Sequence, residues 1–156
     1  MRLKIMSRKK IEDYFSNPLN QKVAVISLTD YDYYFAELKY EPQFLLQLKI
    51  DDVDYDVFKD ELGEDYSIED TYKIEEQYHM MNNEQSKNIA EFVNEVWNKV
   101  ELIICQCEHG QSRSAAVGAA ILEYKYKKAI DIFANPKYYP NKFIYWKVLN
   151  ALNGVE

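Results

Sequence analysis

Short apolar runs that alternate with longer amphipathic segments are the feature of this sequence that most constrains its fold. The runs at 23–28, 45–50 and 102–105 have the composition of strands that are buried on both faces. The segment at 83–100 places its apolar side chains at the i, i+3, i+4 and i+7 spacing of a half-buried helix. Because strands that alternate with helices favour a mostly parallel sheet, we predict an α/β fold with helices on both faces of a central sheet.

The two ends of the chain add further elements to this pattern. Residues 2–6 are predicted to form a short strand, followed by a helix that Ser7 caps and that runs to about Phe15. After the third apolar run, helices are predicted from Ser114 to about Lys125, from Lys127 to Phe133 and from Asn141 to Leu152. A chain of 156 residues is long enough to bury one core, so we expect a single domain over residues 1–156.

The net charge of −7 is concentrated in one segment. Between Asp51 and Glu76 there are twelve acidic residues and two lysines, whereas the remaining 130 residues carry a net charge of +3. We interpret residues 51–80 as an acidic insertion or lid within the domain, helical in part. Such a block repels nucleic-acid phosphates, and the rest of the chain has no basic stripe with interleaved aromatic residues, so we expect no nucleic-acid partner.

Hydropathy and cysteine content indicate the cellular compartment of the protein. The longest strictly apolar run, at 115–122, has eight residues, whereas a bilayer span needs about 20. Residues 2–10 carry charges where a signal peptide needs an apolar stretch, so we expect a cytoplasmic, monomeric protein with no membrane partner. Cys105 and Cys107 are too few and too close together for a disulfide framework, and we expect both to be reduced.

The stretch from Cys107 to Ser114, which reads Cys-Glu-His-Gly-Gln-Ser-Arg-Ser, lies between a predicted buried strand and an apolar helix. Ligands of open α/β sheets bind beyond the carboxyl ends of the strands, where a helix N-terminus offers unpaired N–H groups to an anion. A loop that turns at Gly110 can direct its N–H groups at one phosphate, and Arg113 can bind two phosphate oxygens. These positive surroundings favour the thiolate of Cys107, the nucleophilic form, and Ser114 can donate its hydroxyl to the sulfur.

This C-x-x-G-x-x-R-S arrangement resembles the signature loop of the cysteine-dependent protein tyrosine phosphatases. It is most similar to the small dual-specificity-like branch found in bacteria and phages. The resemblance implies that Cys107 is the nucleophile, that Arg113 assists catalysis and that Ser114 supports the sulfur as it leaves. It also implies that substrate binding involves Glu108, His109, Gly110, Gln111, Ser112 and Arg113.

The resemblance further implies an aspartate that protonates the leaving oxygen and then activates water. The order of a strand followed by aspartate points to Asp52, 55 positions before the cysteine, with Asp51 and Asp54 as alternatives. Members of the family carry His immediately before the cysteine, whereas this chain has Gln106, which can form hydrogen bonds but carries no charge. We expect this departure to lower the thiolate fraction and to leave the fold intact.

A phosphatase that hydrolyses phosphomonoesters through a cysteinyl-phosphate intermediate is therefore the function that the resemblance implies. Phosphotyrosine in proteins is the favoured substrate, with phosphoserine, phosphothreonine and small phosphomonoesters as further candidates. The alternative is a catalytically weak module that binds a phosphorylated ligand, and arsenate reduction or sulfur transfer ranks last because Cys105 is the only other cysteine. No cofactor is expected, and no metal, because His79 lies in no motif and a structural zinc site needs four ligands.

Overall fold

Four strands and seven helices make up residues 2–155, the part of the chain that the computed structural model describes. In chain order they are β1 (Arg2–Met6), α1 (Arg8–Tyr14), β2 (Val23–Thr29), β3 (Phe44–Lys49), α2 (Asp56–Leu62), α3 (Ile68–Gln77), α4 (Asn83–Val96), β4 (Leu102–Gln106), α5 (Arg113–Tyr126), α6 (Ile130–Phe133) and α7 (Lys142–Leu152). The strands form one sheet in the order β1-β4-β2-β3, and every pair in it is parallel. This confirms the predicted single-domain α/β fold with a parallel central sheet.

The central strands β2 and β4 are buried along their whole length, which explains why their sequences are continuously apolar. Alternate side chains of β2 point to opposite faces, and each face has its own core. On one face, Ile11 and Phe15 at α1 pack with Val25. On the other face, Ile26 belongs to the larger core, which α4, α5 and α7 cover. Burial of each such side chain contributes about 1.5–3 kcal/mol, so both faces stabilise the sheet.

The helix predicted from Lys127 to Phe133 is wrong at its start. Lys127 has a left-handed backbone, with φ of 57°, and its N–H donates to the carbonyl of Glu123 at the end of α5. A left-handed residue ends a helix, so α6 begins only at Ile130. Three other helices begin at or within one residue of their predicted starts, and their N-caps are Ser7 for α1, Asn82 for α4 and Asn141 for α7.

The acidic segment 51–80 contains the short helices α2 and α3. Gly63 separates them with φ of 82°, and Ser67 caps α3 through reciprocal hydrogen bonds with Asp70. Phe58 and Ile74 are buried against the larger core, whereas most of the acidic side chains are exposed. Two short amphipathic helices therefore explain why aromatic and acidic residues alternate here without a continuous period. A lid function for this segment stays a prediction.

Within residues 2–155, no helix is both long enough and apolar enough to cross a bilayer. No group of three or more His, Cys, Asp or Glu side chains in the same range is arranged so that it could hold a metal ion.

Candidate active site

The residues of the predicted site meet at one edge of the sheet. Cys107 directly follows β4, Asp30 directly follows β2, and the aspartates at 51, 52 and 54 follow β3. Because the strands are parallel, their carboxyl ends lie at the same edge, where open α/β sheets bind ligands. The topology therefore brings Asp52 to the loop at 107–113, although the two are far apart in the chain.

Neighbouring segments hold the loop at 107–113 through its carbonyl groups. Three backbone N–H groups donate to it: Arg8 to Glu108 at 3.0 Å, Tyr139 to Gln111 at 2.8 Å, and Asn141 to Ser112 at 3.2 Å. Among the residues that the structure describes, no backbone carbonyl accepts from the N–H groups of residues 108–112. Free N–H groups beside a helix N-terminus are the donors that bind an anion.

Gly110 lets this loop pass close to the junction of β1 and α1. Its φ is 68°, and a β-carbon at this position would lie 2.7 Å from the nitrogen of Ser7 and 2.8 Å from the carbonyl carbon of Met6. Both are backbone atoms, so neither can rotate away. Any side chain at position 110 would push the loop off β1, and the close approach therefore requires glycine.

Cys107 lies at the start of the loop and is only 2% exposed. Its Sγ is 3.1 Å from Oγ of Ser114, in the first turn of α5, so the hydroxyl can donate to a thiolate. Cys105, two residues earlier in β4, is fully buried, and burial raises the pKa of its thiol, with a further rise from the charge of Cys107. Cys105 therefore behaves as a small, inert core side chain.

The guanidinium of Arg113 donates hydrogen bonds from Nη1, whereas its Nε has no partner among the described residues. Nη1 donates to Oδ1 of Asp30 at 2.6 Å and to the carbonyl of Ile50 at 2.7 Å. Arg113 is 5% exposed, and within residues 2–155 its Nε has no hydrogen-bond partner. Leaving such a donor unpaired costs about 1–3 kcal/mol, and an anion in the loop would supply the missing acceptor.

Asp30 is a site residue that the sequence analysis missed. Its signal in the sequence is an acidic side chain directly after a buried strand, the same signal that pointed to Asp52. Asp30 holds Arg113, which no local pattern around Asp30 could indicate.

Asp52 contacts the loop directly. Its Oδ1 accepts from Oγ of Ser112 at 2.8 Å and from Nδ2 of Asn141 at 2.9 Å, which leaves Oδ2 available to carry a proton. Asn141 also accepts from the N–H of Ile144 at 2.9 Å as the N-cap of α7. Asn141 therefore joins the helix, the loop and Asp52, whereas the sequence indicated only that a helix begins there.

The two alternatives to Asp52 are engaged elsewhere. Asp54 accepts from two backbone N–H groups at the start of α7, at 2.8 Å and 3.0 Å. Asp51 accepts from the N–H of Tyr31 at 2.8 Å, and its other oxygen lies 3.4 Å from Nδ1 of His79. Of these three aspartates, Asp52 is the one whose side chain forms a hydrogen bond with the loop.

Gln106 occupies the buried position immediately before Cys107. Its Oε1 accepts from Oγ of Ser27 at 2.5 Å, and its Nε2 donates to the carbonyl of Cys107 at 3.0 Å. The neutral amide therefore ties the start of the loop to β2.

The remaining loop side chains point in different directions. Glu108 accepts from Nε of Arg8 at 2.6 Å, and Arg8 also donates to Oγ1 of Thr29 at 2.7 Å. His109 and Gln111 are exposed to solvent. Substrate binding by these residues stays a prediction, and their backbone N–H groups are the donors that they could offer to an anion.

Comparison with solved structures gives the class of fold. The structure of human DUSP28 superposes with a TM-score of 0.59 and 14% sequence identity, covering 97% of this chain and 92% of that chain. Tk-PTP in its active form gives a TM-score of 0.57 and 16% identity, covering 99% of this chain and 92% of that chain. No protein-family profile and no curated protein matches the sequence. The chain therefore has the fold of the dual-specificity phosphatases, and a closer kinship with the bacterial and phage branch stays a prediction.

Proposed function

We propose that the protein is a cysteine-dependent phosphatase that hydrolyses phosphomonoesters through a cysteinyl-phosphate intermediate. The observation that carries the proposal is the buried pair of Cys107 Sγ and Ser114 Oγ, 3.1 Å apart, at a loop whose N–H groups lack backbone acceptors. The unpaired Nε of Arg113 supports it, because a phosphate oxygen would accept from that group.

In the first step the thiolate of Cys107 attacks phosphorus, so that an S–P bond forms and the P–O bond to the leaving group breaks. Arg113 and the loop N–H groups bind the non-bridging oxygens and stabilise their charge. Asp52 donates its proton to the leaving oxygen, and the alcohol or phenol departs neutral. Hydrogen bonds from Ser112 and Asn141 to Oδ1 of Asp52 support this role, because they orient the carboxyl group.

In the second step a water molecule attacks the phosphorus of the cysteinyl phosphate. The carboxylate of Asp52 accepts a proton from that water, the S–P bond breaks, and inorganic phosphate is released. The sulfur of Cys107 leaves as a thiolate, to which Ser114 donates its hydroxyl. Both steps draw on the positive charge of Arg113 and the loop N–H groups, so the proposed reaction uses no metal.

The favoured substrate is phosphotyrosine. A nucleophile that is only 2% exposed is reached more readily by the long arm of phosphotyrosine than by phosphoserine. Polyphosphoinositides are disfavoured, because Glu108 and Gln111 stand where several phosphates would need a basic lining. A phosphorylated protein or a small phosphomonoester is thus the proposed partner, encountered by a monomer in the cytoplasm on the sequence grounds given above.

Steady-state hydrolysis of p-nitrophenyl phosphate in the presence of EDTA, from about pH 5 to about pH 8, tests the proposal. We expect the wild type to turn over the substrate and Cys107→Ser to be inactive. Asp52→Asn should lower kcat/KM for phosphotyrosine by about 10²- to 10⁴-fold, and should lower it much less for p-nitrophenyl phosphate, whose leaving anion needs little protonation. Cys105→Ala is the matched control and should remain active, because Cys105 contacts no substrate.

The outcomes of this experiment distinguish a phosphatase from a catalytically weak module that binds a phosphorylated ligand. Hydrolysis retained by Cys107→Ser would overturn the proposal. A wild type that is inert but binds vanadate, with binding lost in Arg113→Lys, would instead make the protein a module that binds phosphorylated ligands. Lysine is the stringent replacement there, because it keeps the charge and loses the planar geometry.

A further inference from the structure

Three separate segments of the chain meet next to the proposed acid in a cluster of Tyr31, Asp51 and His79, here named the rim cluster. The rings of Tyr31 and His79 stack with centroids 3.8 Å apart and an interplanar angle of 3°. The N–H of Tyr31 donates to Asp51 Oδ1 at 2.8 Å, and the N–H of Asp51 donates to the carbonyl of His79 at 3.0 Å. The cluster therefore links the end of β2, the end of β3 and the end of α3.

Two members of the rim cluster are next in sequence to residues that contact the active-site loop. Asp30, which precedes Tyr31, lies 2.6 Å from Nη1 of Arg113. Asp52, which follows Asp51, accepts from Ser112 at 2.8 Å. The distance between the phosphate-binding arginine and the acid thus depends on how the first two segments are held together. His79 contacts both segments and comes from the acidic insertion.

The backbone of His79 ends α3. Its φ is 49°, in the left-handed region that commonly follows a helix. The N–H of Met80 donates to the carbonyl of Glu75 at 2.9 Å, and the N–H of His79 donates to the carbonyl of Glu76 at 3.2 Å. Beyond this turn, His79 contacts Tyr31 through the ring stack and Asp51 through the backbone hydrogen bond. The side-chain pair of His79 and Asp51 is partly exposed and contributes little to the stability of the cluster.

We infer that His79 is a positioning residue, which holds Asp52 at the loop through its stack with Tyr31 and its backbone bond to Asp51. The inference rests on the proposed function, because it assigns a residue to the orientation of the proposed acid. The carboxyl of Asp52 is exposed, and its described hydrogen bonds involve one oxygen only. Its direction therefore depends on the backbone that carries it, and a displacement of about 1 Å can cost about 10²-fold in rate.

The test compares two substrates whose leaving groups differ in basicity. Protonation by Asp52 matters for phosphotyrosine, because its phenolate is a strong base, and matters much less for p-nitrophenyl phosphate, because its leaving anion is stable. His79→Asn removes the ring, and Asn tolerates the left-handed backbone. We expect this variant to lose about tenfold or more in kcat/KM for phosphotyrosine and much less for p-nitrophenyl phosphate.

Matched variants distinguish a loss of Asp52 positioning from a general loss of folded structure. His79→Phe keeps the ring stack, and we expect it to restore kcat/KM for phosphotyrosine toward the wild-type value. Tyr31→Ala should reproduce His79→Asn, and the double variant should be no worse than either single one, since both remove the same stack. Tyr126→Ala removes an exposed aromatic ring near the opposite edge of the sheet and should leave both substrates unaffected.

The outcomes for the inference and for the proposed function are distinct. Equal losses on the two substrates, or additive losses in the double variant, would overturn the inference while the phosphatase remains. If the wild type hydrolyses neither substrate, the proposed function fails. The positioning role of His79 is then tested without catalysis, by the chemical shifts of the backbone amides of Asp52 and Ser112. Signals that shift in His79→Asn and return in His79→Phe support positioning, whereas signals that stay in place contradict it.

Discussion

Gln106 is the residue at which this chain departs from the family that its loop resembles, and its contacts explain how the position is filled. The amide accepts from Ser27 and donates to the carbonyl of Cys107 in a fully buried site. A neutral side chain satisfies both partners without the cost of burying a charge. It adds no positive charge beside Cys107, so a reduced thiolate fraction stays a prediction.

Replacement of this amide should destabilise the protein measurably. We expect Gln106→Ala to lower the free energy of unfolding by about 1–3 kcal/mol, because Ser27 and the carbonyl of Cys107 lose their buried partner. Urea unfolding of Gln106→Ala, Ser27→Ala and the double variant gives the coupling between them, which we expect to be about 1 kcal/mol. Additive effects of the two substitutions would show that the hydrogen bond between them contributes nothing.

Cys105 should make stability depend on alkaline pH. Burial raises the pKa of its thiol in the folded protein. In the unfolded chain the thiol has its ordinary pKa of about 8.5. The contribution is fully present below that pH. It is lost as the pH rises further, by up to about 1.4 kcal/mol per pH unit, because the unfolded chain then releases a proton that the folded chain keeps.

Urea unfolding at about pH 8 and about pH 10 measures this loss. Cys105→Ala should show a smaller decrease between the two pH values than its parent. Both proteins are compared in the Cys107→Ser background, so that no other thiol titrates. Equal decreases would mean that the buried thiol makes no contribution of this kind.

At the scale of elements, the three aspartates between β3 and α2 form hydrogen bonds with three different parts of the fold. Asp54 accepts from the N–H groups of Lys142 and Phe143 at the start of α7, where the helix dipole favours a negative charge. Asp52 faces the loop, and Asp51 belongs to the rim cluster. Both oxygens of Asp54 therefore have partners at one helix N-terminus, which favours Asp52 over Asp54 in the proposed role of acid.

Substitution of Asp54 should affect stability and leave the pH dependence of catalysis in place. We expect Asp54→Ala to lower the free energy of unfolding by about 0.5–2 kcal/mol, the usual cost of a lost helix cap. Its pH profile for phosphotyrosine should keep the wild-type shape, whereas Asp52→Asn should change it. Asp54→Asn retains a capping oxygen and should recover part of the stability. A profile flattened by Asp54→Ala would instead assign the acid to Asp54.

At the scale of the whole molecule, the charge is distributed unevenly around the proposed active site. The acidic insertion includes Asp52, and its residues 72–80 line a cavity of about 420 Å³ together with Tyr31. Glu75 and Glu76 contribute carboxylates to that lining, and Lys49 and Lys147 balance them. The rest of the acidic insertion is not balanced in this way, because the segment from Asp51 to Glu76 holds twelve acidic residues and two lysines. A peptide bound at the loop would therefore meet a field that is mainly negative on this side.

This charge distribution should select among phosphopeptides. We expect phosphotyrosine peptides flanked by lysine to have a higher kcat/KM than matched peptides flanked by glutamate, because like charges repel. The difference should shrink when the ionic strength rises from about 50 mM to about 300 mM, which screens exposed charges. Steady-state kinetics with such peptide pairs measures both effects. Equal rates for the two peptides at low salt would contradict this role for the acidic insertion.

Local sequence was sufficient to predict most of the elements, because their signals lie in contiguous residues. The apolar runs predicted the strands, Ser7 marked the start of α1, and the stretch from Cys107 to Ser114 predicted a loop between a buried strand and a helix. The helices α2 and α3 were predicted only as a segment that is helical in part. The helix break at Lys127 was missed because lysine carries no sequence signal for a left-handed backbone.

Tertiary structure alone decided which distant side chains meet at that loop. Asp30, Asp52 and Asn141 come from three segments, and their contacts with Arg113 and Ser112 depend on the strand order β1-β4-β2-β3 and on where α7 begins. Among the three neighbouring aspartates, sequence spacing could only rank the candidates. Hydrogen-bond partners separate them, and those partners lie roughly 20 to 90 positions away along the chain. The local sequence determines the secondary structure of a segment. Which carboxylate contacts the loop depends on the packing of the whole chain, because the contacting residues come from segments that are distant in sequence.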